Sequence, residues 1–120
     1  MNIEDIREYC LAKKAVTESF PFDDVTLVFK VMNKMFALVS LDGELSISLK
    51  CDPERAIELR EKHPNIIPGY HLNKAQWNTI KIDGSLSRTF LHELIDHSYQ
   101  LIIDRLPKKL KEELKNKIYE

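Results

Sequence analysis

Three neighbouring runs in the first half of the chain alternate between apolar and polar side chains. The runs cover residues 26–31, 35–40 and 45–50. A period of two residues is typical of a β-strand that buries one face and exposes the other. Asn33-Lys34 and Asp42-Gly43 separate the runs with residues that suit tight turns. The pattern therefore predicts three consecutive antiparallel strands joined by short turns.

A helix is predicted before these strands. Asn2 can cap it, and Asp5 completes an approximate capping box three residues later. The residues with helical spacing are Ile3, Ile6 and Cys10, with Val16 as a candidate continuation. We expect the helix to begin at about Ile3 and to end at Phe20-Pro21-Phe22, because proline disfavours helical geometry at the residue before it.

Three further helices are predicted in the second half of the chain. Asp52 and Pro53 suit the N-cap and first position of a helix that ends at His63-Pro64. Ser87 can cap a longer helix with a continuous apolar stripe, which Pro107 ends or bends. A final amphipathic helix is indicated by Leu110, Leu114 and Ile118, which recur at intervals of four residues.

The segment between the second and third helices has the most unusual composition. Residues 63–82 contain two prolines, a glycine, two histidines, a tyrosine and the only tryptophan of the chain. Pro68-Gly69 suits a type II turn with Gly69 at positive φ, and residues 77–82 alternate like a strand. We interpret residues 63–76 as a loop crossing the sheet, anchored by Tyr70 and Trp77. Three polar residues of this loop, His71, Asn73 and Lys74, either contact a partner or satisfy the loop's own backbone.

Length and composition favour one domain over residues 1–120, which we expect to be a monomer. The apolar runs are too short to cross a bilayer, and the charged first turns do not resemble a signal peptide, so we expect a cytoplasmic protein. Cys10 and Cys51 lack metal or redox spacing and are predicted to be free, buried thiols. A formal net charge of −1 argues against a protein that coats nucleic acid but allows a local basic patch.

Six groups of residues, spread over nearly the whole chain, resemble the MmcQ/YjbR family of small bacterial proteins. They are Phe20-Pro21-Phe22, Val28-Phe29-Lys30-Val31, Lys34-Met35-Phe36-Ala37-Leu38, Leu49-Lys50-Cys51-Asp52-Pro53, Pro68-Gly69-Tyr70-His71-Leu72-Asn73-Lys74 with Trp77-Asn78, and Ile95-Asp96-His97-Ser98-Tyr99 with Leu106-Pro107. The resemblance implies an α+β fold like that of bacterial frataxin, with helices packed on one face of an antiparallel sheet. It also implies DNA binding through a "double wing" of sheet-borne loops, with no catalytic residues and no cofactor.

If the resemblance is a guide to the partner, double-stranded DNA would contact cations on the sheet and the loop. The candidate residues are Lys30, Lys34, Lys50, His71, Asn73, Lys74, Lys81 and Arg88. A second candidate basic patch consists of Lys108, Lys109, Lys111, Lys115 and Lys117. Its positive charge is partly cancelled by Glu112, Glu113 and Glu120. The leading hypothesis is therefore a non-catalytic DNA-binding module.

Three alternatives invoke metal or catalysis. A frataxin-like metal site would use the acidic residues near the first helix, which are Glu4, Asp5, Glu8, Glu18, Asp23 and Asp24. Residues 92–96 resemble the zinc motif His-Glu-x-x-His but do not match it, because Asp96 occupies the position of the second histidine. We expect His92 to pair with Asp96, and Glu93 with His97. Catalysis by His71 would need a pocket with a second titratable group.

Overall fold

The computed structural model describes residues 1–69 and 72–117. Within them the chain forms four α-helices and one six-stranded antiparallel sheet, which confirms the α+β class. The helices are α1 (Ile3–Leu11), α2 (Pro53–Lys62), α3 (Arg88–Asp104) and α4 (Lys108–Asn116). The strands are β1 (Val16–Ser19), β2 (Thr26–Val31), β3 (Lys34–Ser40), β4 (Ser46–Lys50), β5 (Ile66–Pro68) and β6 (Trp77–Lys81), in the spatial order β1-β2-β3-β4-β6-β5.

Strands β2, β3 and β4 are the three predicted consecutive strands. Met32 and Asn33 connect β2 to β3 with φ of 50° and 66°, so both adopt the left-handed geometry that favours a two-residue hairpin. The turn lies one residue earlier than predicted, because Lys34 already pairs with Val31. Gly43 has φ of 70° in the next turn, as its position after Asp42 indicates.

Helix α1 is shorter than predicted. Its capping box forms as expected, with Asn2 and Asp5 each accepting the other's backbone N–H. The helix ends at Leu11, and Ala15 has φ of 61°, which reverses the chain. The expected continuation through Val16 is wrong, since Val16–Ser19 forms the edge strand β1 on β2. Strand pairing stabilises this β-branched segment outside the helix.

The glycine of the Pro68-Gly69 pair is required for a different reason than predicted. Ile66–Pro68 is the edge strand β5 and not part of a loop, and its pairing with β6 leaves proline at an edge where it is tolerated. Gly69 does not adopt the positive φ of a type II turn. Its N–H donates to the Trp77 carbonyl at 2.9 Å, and a Cβ there would lie 3.0 Å from the Trp77 Cβ. Close backbone approach therefore selects glycine.

The helices pack on one face of the sheet, as predicted. The row of paired side chains on that face is Leu27, Val39, Ile47, Ile80 and Ile66. These residues form one cluster with buried side chains from all four helices, including Ile6, Ala56, Leu94 and Leu114. The opposite row, Val28, Leu38, Ser48 and Thr79, lies on the face that we call the open face.

None of the helices within residues 1–69 and 72–117 is long and apolar enough to cross a membrane. Cys10 and Cys51 are free and buried, which confirms the prediction for both thiols. Burial raises the pKa of Cys10 to about 12 and also raises the pKa of Cys51. Both side chains therefore act as small apolar core residues.

Candidate functional site

Asn73 stabilises the loop between β5 and β6. Its Oδ1 accepts the N–H of Ala75 at 3.0 Å, and its carbonyl accepts the N–H groups of Gln76 at 3.0 Å and Trp77 at 2.9 Å. Such side-chain contacts replace the strand hydrogen bonds that a loop lacks. The side chain of this candidate contact residue is thus engaged by the loop itself. Its neighbour His71, together with Tyr70, lies outside the described residues.

Arg60 of α2 holds the same loop from the helix side. Its Nη1 donates to the carbonyl of Lys74 and to Oδ1 of Asn78, each at 3.0 Å. Asn78 is 2% exposed and donates through Nδ2 to the carbonyl of Ala56 at 3.3 Å. Arg60 was not predicted from the sequence, although the Trp77-Asn78 pair of the family signature points to a buried amide that needs partners.

The Asp-His-Ser-Tyr group of α3 is also structural. Ser98 is fully buried, where its hydroxyl accepts the N–H of Lys50 at 2.9 Å and donates to the carbonyl of Phe36 at 2.5 Å. His97 accepts the N–H of Asp52 through Nε2 at 3.2 Å, and burial lowers its pKa. These two residues join α3 to the sheet and to the start of α2.

The other two residues of that group bind the segment around α1. Asp96 accepts the Tyr9 hydroxyl at 2.7 Å and forms an ion pair with Lys13. Burial, together with this hydrogen bond, raises the pKa of Tyr9 to about 12. The Tyr99 hydroxyl donates to the carbonyl of Lys14 at 2.7 Å. The family motif therefore docks α3 against three neighbouring elements.

Besides the charge interactions of His92 with Asp96 and of His97 with Glu93, the polar residues of α3 contact other elements. His92 stacks on Tyr9 with ring centroids 3.6 Å apart, and burial lowers its pKa. Glu93 forms an ion pair with Arg55, while Asp96 bonds to α1. These contacts explain the polar residues around the failed zinc motif without a metal ion.

Three of the six candidate acidic residues near α1 have structural partners. Asp5 caps α1, Glu18 pairs with Arg7, and Asp23 accepts the N–H groups of two following residues at 3.0 and 2.7 Å. Across residues 1–69 and 72–117, no group of three or more His, Cys, Asp or Glu side chains could hold a metal ion. The frataxin-like metal site gains no support from this geometry.

Three of the candidate lysines lie at one end of the sheet, which we call the basic end. It is the end at which β2 and β4 finish and β3 and β6 begin. There Lys34 of β3 pairs with Val31 of β2, and Lys30 of β2 pairs with Met35 of β3. Lys50 pairs with Trp77, where the loop carrying Lys74 rejoins the sheet. Strand register therefore places Lys30, Lys34 and Lys50 at the same end of the sheet, with Lys30 and Lys34 in consecutive pairs and hence on opposite faces.

Two further segments add positive charge to the basic end. Arg105, which follows α3, lies 3.4 Å through Nη1 from Oε1 of Gln76, directly before β6. Burial and the charge of Arg105 both lower the pKa of Lys50. Lys14 donates to the carbonyl of Lys115 at 3.0 Å, which places the lysine-rich α4 against the turn before β1. Arg105 was not predicted from the sequence, because only the tertiary fold brings the end of α3 to this end of the sheet.

The remaining two candidate cations lie elsewhere. Lys81 pairs with Ser46, four residues from Lys50 along β4, which corresponds to about 13 Å at the usual rise of a strand. Arg88 begins α3 in the helix layer and forms an ion pair with Asp5 at 3.4 Å. These two residues do not join the lysines of the basic end.

Comparisons with known proteins agree with the sequence resemblance. The family model YjbR matches residues 11–101. The Uncharacterized protein YjbR of Escherichia coli K12 is 37% identical over 110 residues, which are 91% of this chain and 93% of the relative. The Uncharacterized protein YbdF of Escherichia coli O157:H7 is 35% identical over 107 residues, 88% of each chain.

Solved structures show the same fold. The crystal structure of a Deinococcus radiodurans protein with a DUF419 domain superposes with a TM-score of 0.89 at 44% identity, covering 95% of this chain and 88% of that one. A crystal structure of a protein from Pseudomonas syringae superposes with a TM-score of 0.74 at 31% identity, covering 84% of this chain and 98% of that one. The fold is thus shared with these solved structures, and the chain is a member of the YjbR family.

Proposed function

We propose that this protein is a non-catalytic module that binds double-stranded DNA through its basic end. The observation that carries the proposal is the position of Lys30, Lys34 and Lys50 at one end of the sheet, near Arg105 and the loop of Lys74. Phosphate groups are recognised by such clustered cations, and a chain with net charge of −1 can offer them only on a local surface. The surface outside the basic end, which carries the excess of acidic residues, would be repelled by DNA, so the basic end would turn toward the duplex.

The set of residues proposed to contact DNA differs from the set predicted from the sequence. Asn73 is assigned to the loop, and Lys81 and Arg88 lie away from the basic end. We keep Lys74 in the proposed contact set, since Arg60 holds its backbone in the loop before β6. His71 lies outside the described residues, so the contact set that the structure can support is Lys30, Lys34, Lys50 and Lys74, extended by Arg105 and the lysines of α4.

A non-catalytic role is supported by the contacts of the histidines within the described residues. His97 accepts a backbone N–H, His92 stacks on Tyr9, and His63 caps α2 with its ring 5.4 Å from that of Phe90. Each ring is engaged by the fold. His92 also lines an open depression with Asp5, Glu8 and Arg88, where Asp5 is occupied by the cap of α1 and by its ion pair with Arg88.

The test is a fluorescence anisotropy titration of a labelled 20-base-pair duplex at several salt concentrations. We expect binding at low salt that weakens as salt rises, with a slope of about −0.9 per neutralised phosphate in a plot of log K against log salt. The double variant Lys30→Glu/Lys34→Glu should weaken binding at least tenfold and flatten the slope.

A matched control carries the same change of charge at the other end of the molecule. Lys62→Glu/Lys81→Glu alters two exposed lysines, at the end of α2 and on β6. We expect this variant to bind within about twofold of the parent protein. Equal losses in both double variants, or no binding of the parent at low salt, would rule out the basic end as a DNA interface.

A further inference from the structure

The open face of the sheet carries a groove of about 670 Å³. Its floor is formed by five hydroxyl side chains from four strands, which are Thr26, Ser40, Ser46, Ser48 and Thr79. The groove crosses β2, β3, β4 and β6, a width of about 14 Å at the usual spacing between strands. Pockets of about 300 to 1,000 Å³ are typical of small-molecule sites.

Apolar side chains form part of the walls. Phe22, from the connection between β1 and β2, is 63% exposed, and Leu72 lines the groove from the loop before β6. Val25 and Leu38 add further apolar surface. A phenyl ring exposed beside a row of hydroxyl groups offers a ligand one apolar wall and one hydrogen-bonding surface.

Two carboxylates line the groove, while Lys81 is the cross-strand neighbour of Ser46 at one end of its floor. Asp23 and Asp42 line it, and the described lining residues include no lysine or arginine. Hydrogen bonds from the backbone of Val25 and from Thr26 lower the pKa of Asp23, so this carboxylate stays ionised at neutral pH. Asp23 is committed to those bonds, which leaves Asp42 as the carboxylate to contact a ligand.

We propose that this groove binds a small organic amine with an aromatic or alkyl portion. The ammonium group would bind Asp42 and the neighbouring serine hydroxyls, while the apolar portion packs against Phe22 and Leu72. Charge-assisted hydrogen bonds to a carboxylate fix the cationic end, and the ring of Phe22 attracts a cation as well as an apolar group. A nucleic-acid phosphate is repelled by the two carboxylates, so this site is separate from the DNA interface proposed above.

The test is a ¹H–¹⁵N NMR titration with phenethylamine as the probe. We expect saturable shifts for the amides of Ser46, Ser48 and Thr79. Two probes of the same shape serve as controls, 2-phenylethanol without a charge and phenylacetate with a negative one. We expect the alcohol to bind at least fivefold more weakly and phenylacetate to leave these amides unchanged. Shifts of equal size for the amine and the alcohol, or no saturation with the amine at tens of millimolar, would overturn the proposal.

Two variants in one exposed turn separate the role of Asp42 from general surface charge. Asp42→Asn should weaken phenethylamine binding about tenfold through loss of a charge-assisted hydrogen bond. Glu44→Gln removes the same charge two residues away, outside the lining of the groove, and should change binding less than twofold. Equal effects of the two variants contradict the assignment of Asp42. The result is independent of DNA binding, because neither residue lies at the basic end.

Discussion

Arg60 of α2 and Asn78 of β6 form a hydrogen bond of 3.0 Å that joins the helix layer to the sheet beneath the loop of Lys74. The same guanidinium bonds the Lys74 carbonyl, while Asn78 reaches the Ala56 carbonyl. A buried amide that loses a partner costs more than the bond itself contributes. The pair thus fixes the loop that borders the proposed DNA interface.

Replacing Arg60 should destabilise the protein and loosen this loop. We expect Arg60→Met to lower the free energy of unfolding by about 1.5–3 kcal/mol, because Asn78 Oδ1 and the Lys74 carbonyl lose a charged donor. Urea denaturation measures the loss. Arg55→Met on the same helix is the control, since its exposed ion pair with Glu93 should contribute only about 0–1 kcal/mol. Equal losses in the two variants would refute a special role for Arg60.

Gly69 should resist replacement even by alanine. A Cβ at this position would lie 3.0 Å from the Cβ and 3.2 Å from the carbonyl oxygen of Trp77. We expect Gly69→Ala to cost about 1–3 kcal/mol, as overpacking does, and to shift the fluorescence of this single tryptophan. Gly43→Ala tests the opposite case, because Gly43 has φ of 70° and no atom near its missing Cβ.

The two glycine variants should differ in their effect on the fluorescence emission of Trp77. Gly43→Ala should cost about 1–2 kcal/mol through left-handed strain alone and leave the emission of Trp77 as it is. A Gly69→Ala protein with parental stability and parental emission would show that the close approach to Trp77 is not needed.

Local patterns account for much of the fold. The alternation over residues 26–50 fixes three strands, and Asn2, Asp52 and Ser87 begin helices as their side-chain chemistry predicts. These signals come from residues within one turn or one strand of each other. Strands β1 and β5 have only four and three residues, too few to show a period. They form because β1 pairs with β2 and β5 pairs with β6.

The candidate site was predicted less completely, because its geometry depends on strand register. Lys50 and Lys81 are both strand lysines in the sequence, and only their pairing with Trp77 and Ser46 places them at opposite ends. Arg105 reaches the basic end through the length and direction of α3. The likeness to frataxin and the identity of the partner stay predictions.

Ser98 should be the most sensitive serine of the described chain. Its hydroxyl is fully buried and serves both the Phe36 carbonyl and the Lys50 N–H. We expect Ser98→Ala to lower the free energy of unfolding by about 1–3 kcal/mol and to speed hydrogen exchange at the Lys50 amide. Ser46→Ala on the open face is the control and should change stability by less than about 0.5 kcal/mol. Unchanged exchange at Lys50 would contradict this assignment.

His97 should make stability depend on pH between neutrality and pH 5. Its Nε2 accepts the Asp52 N–H and can do so only when that nitrogen carries no proton. Burial, and next the charge of Arg55, lower the pKa of His97 below its ordinary 6.5 in the folded state. Since the unfolded chain then binds the proton more readily, the contribution of His97 is complete above pH 6.5. It is lost as pH falls through the folded pKa.

The variant His97→Gln isolates this contribution, because a glutamine amide keeps an uncharged polar group at the position of Nε2 without titrating. We expect the difference in unfolding free energy between the parent and this variant to shrink as pH falls from 7.5 to 5, measured by urea denaturation at each pH. His92 also has a lowered pKa and stays in both proteins, so its effect cancels in the difference. An NMR titration that gives His97 a pKa of 6.5 would remove the pH dependence and a higher pKa would reverse its sign, so either result disproves the prediction.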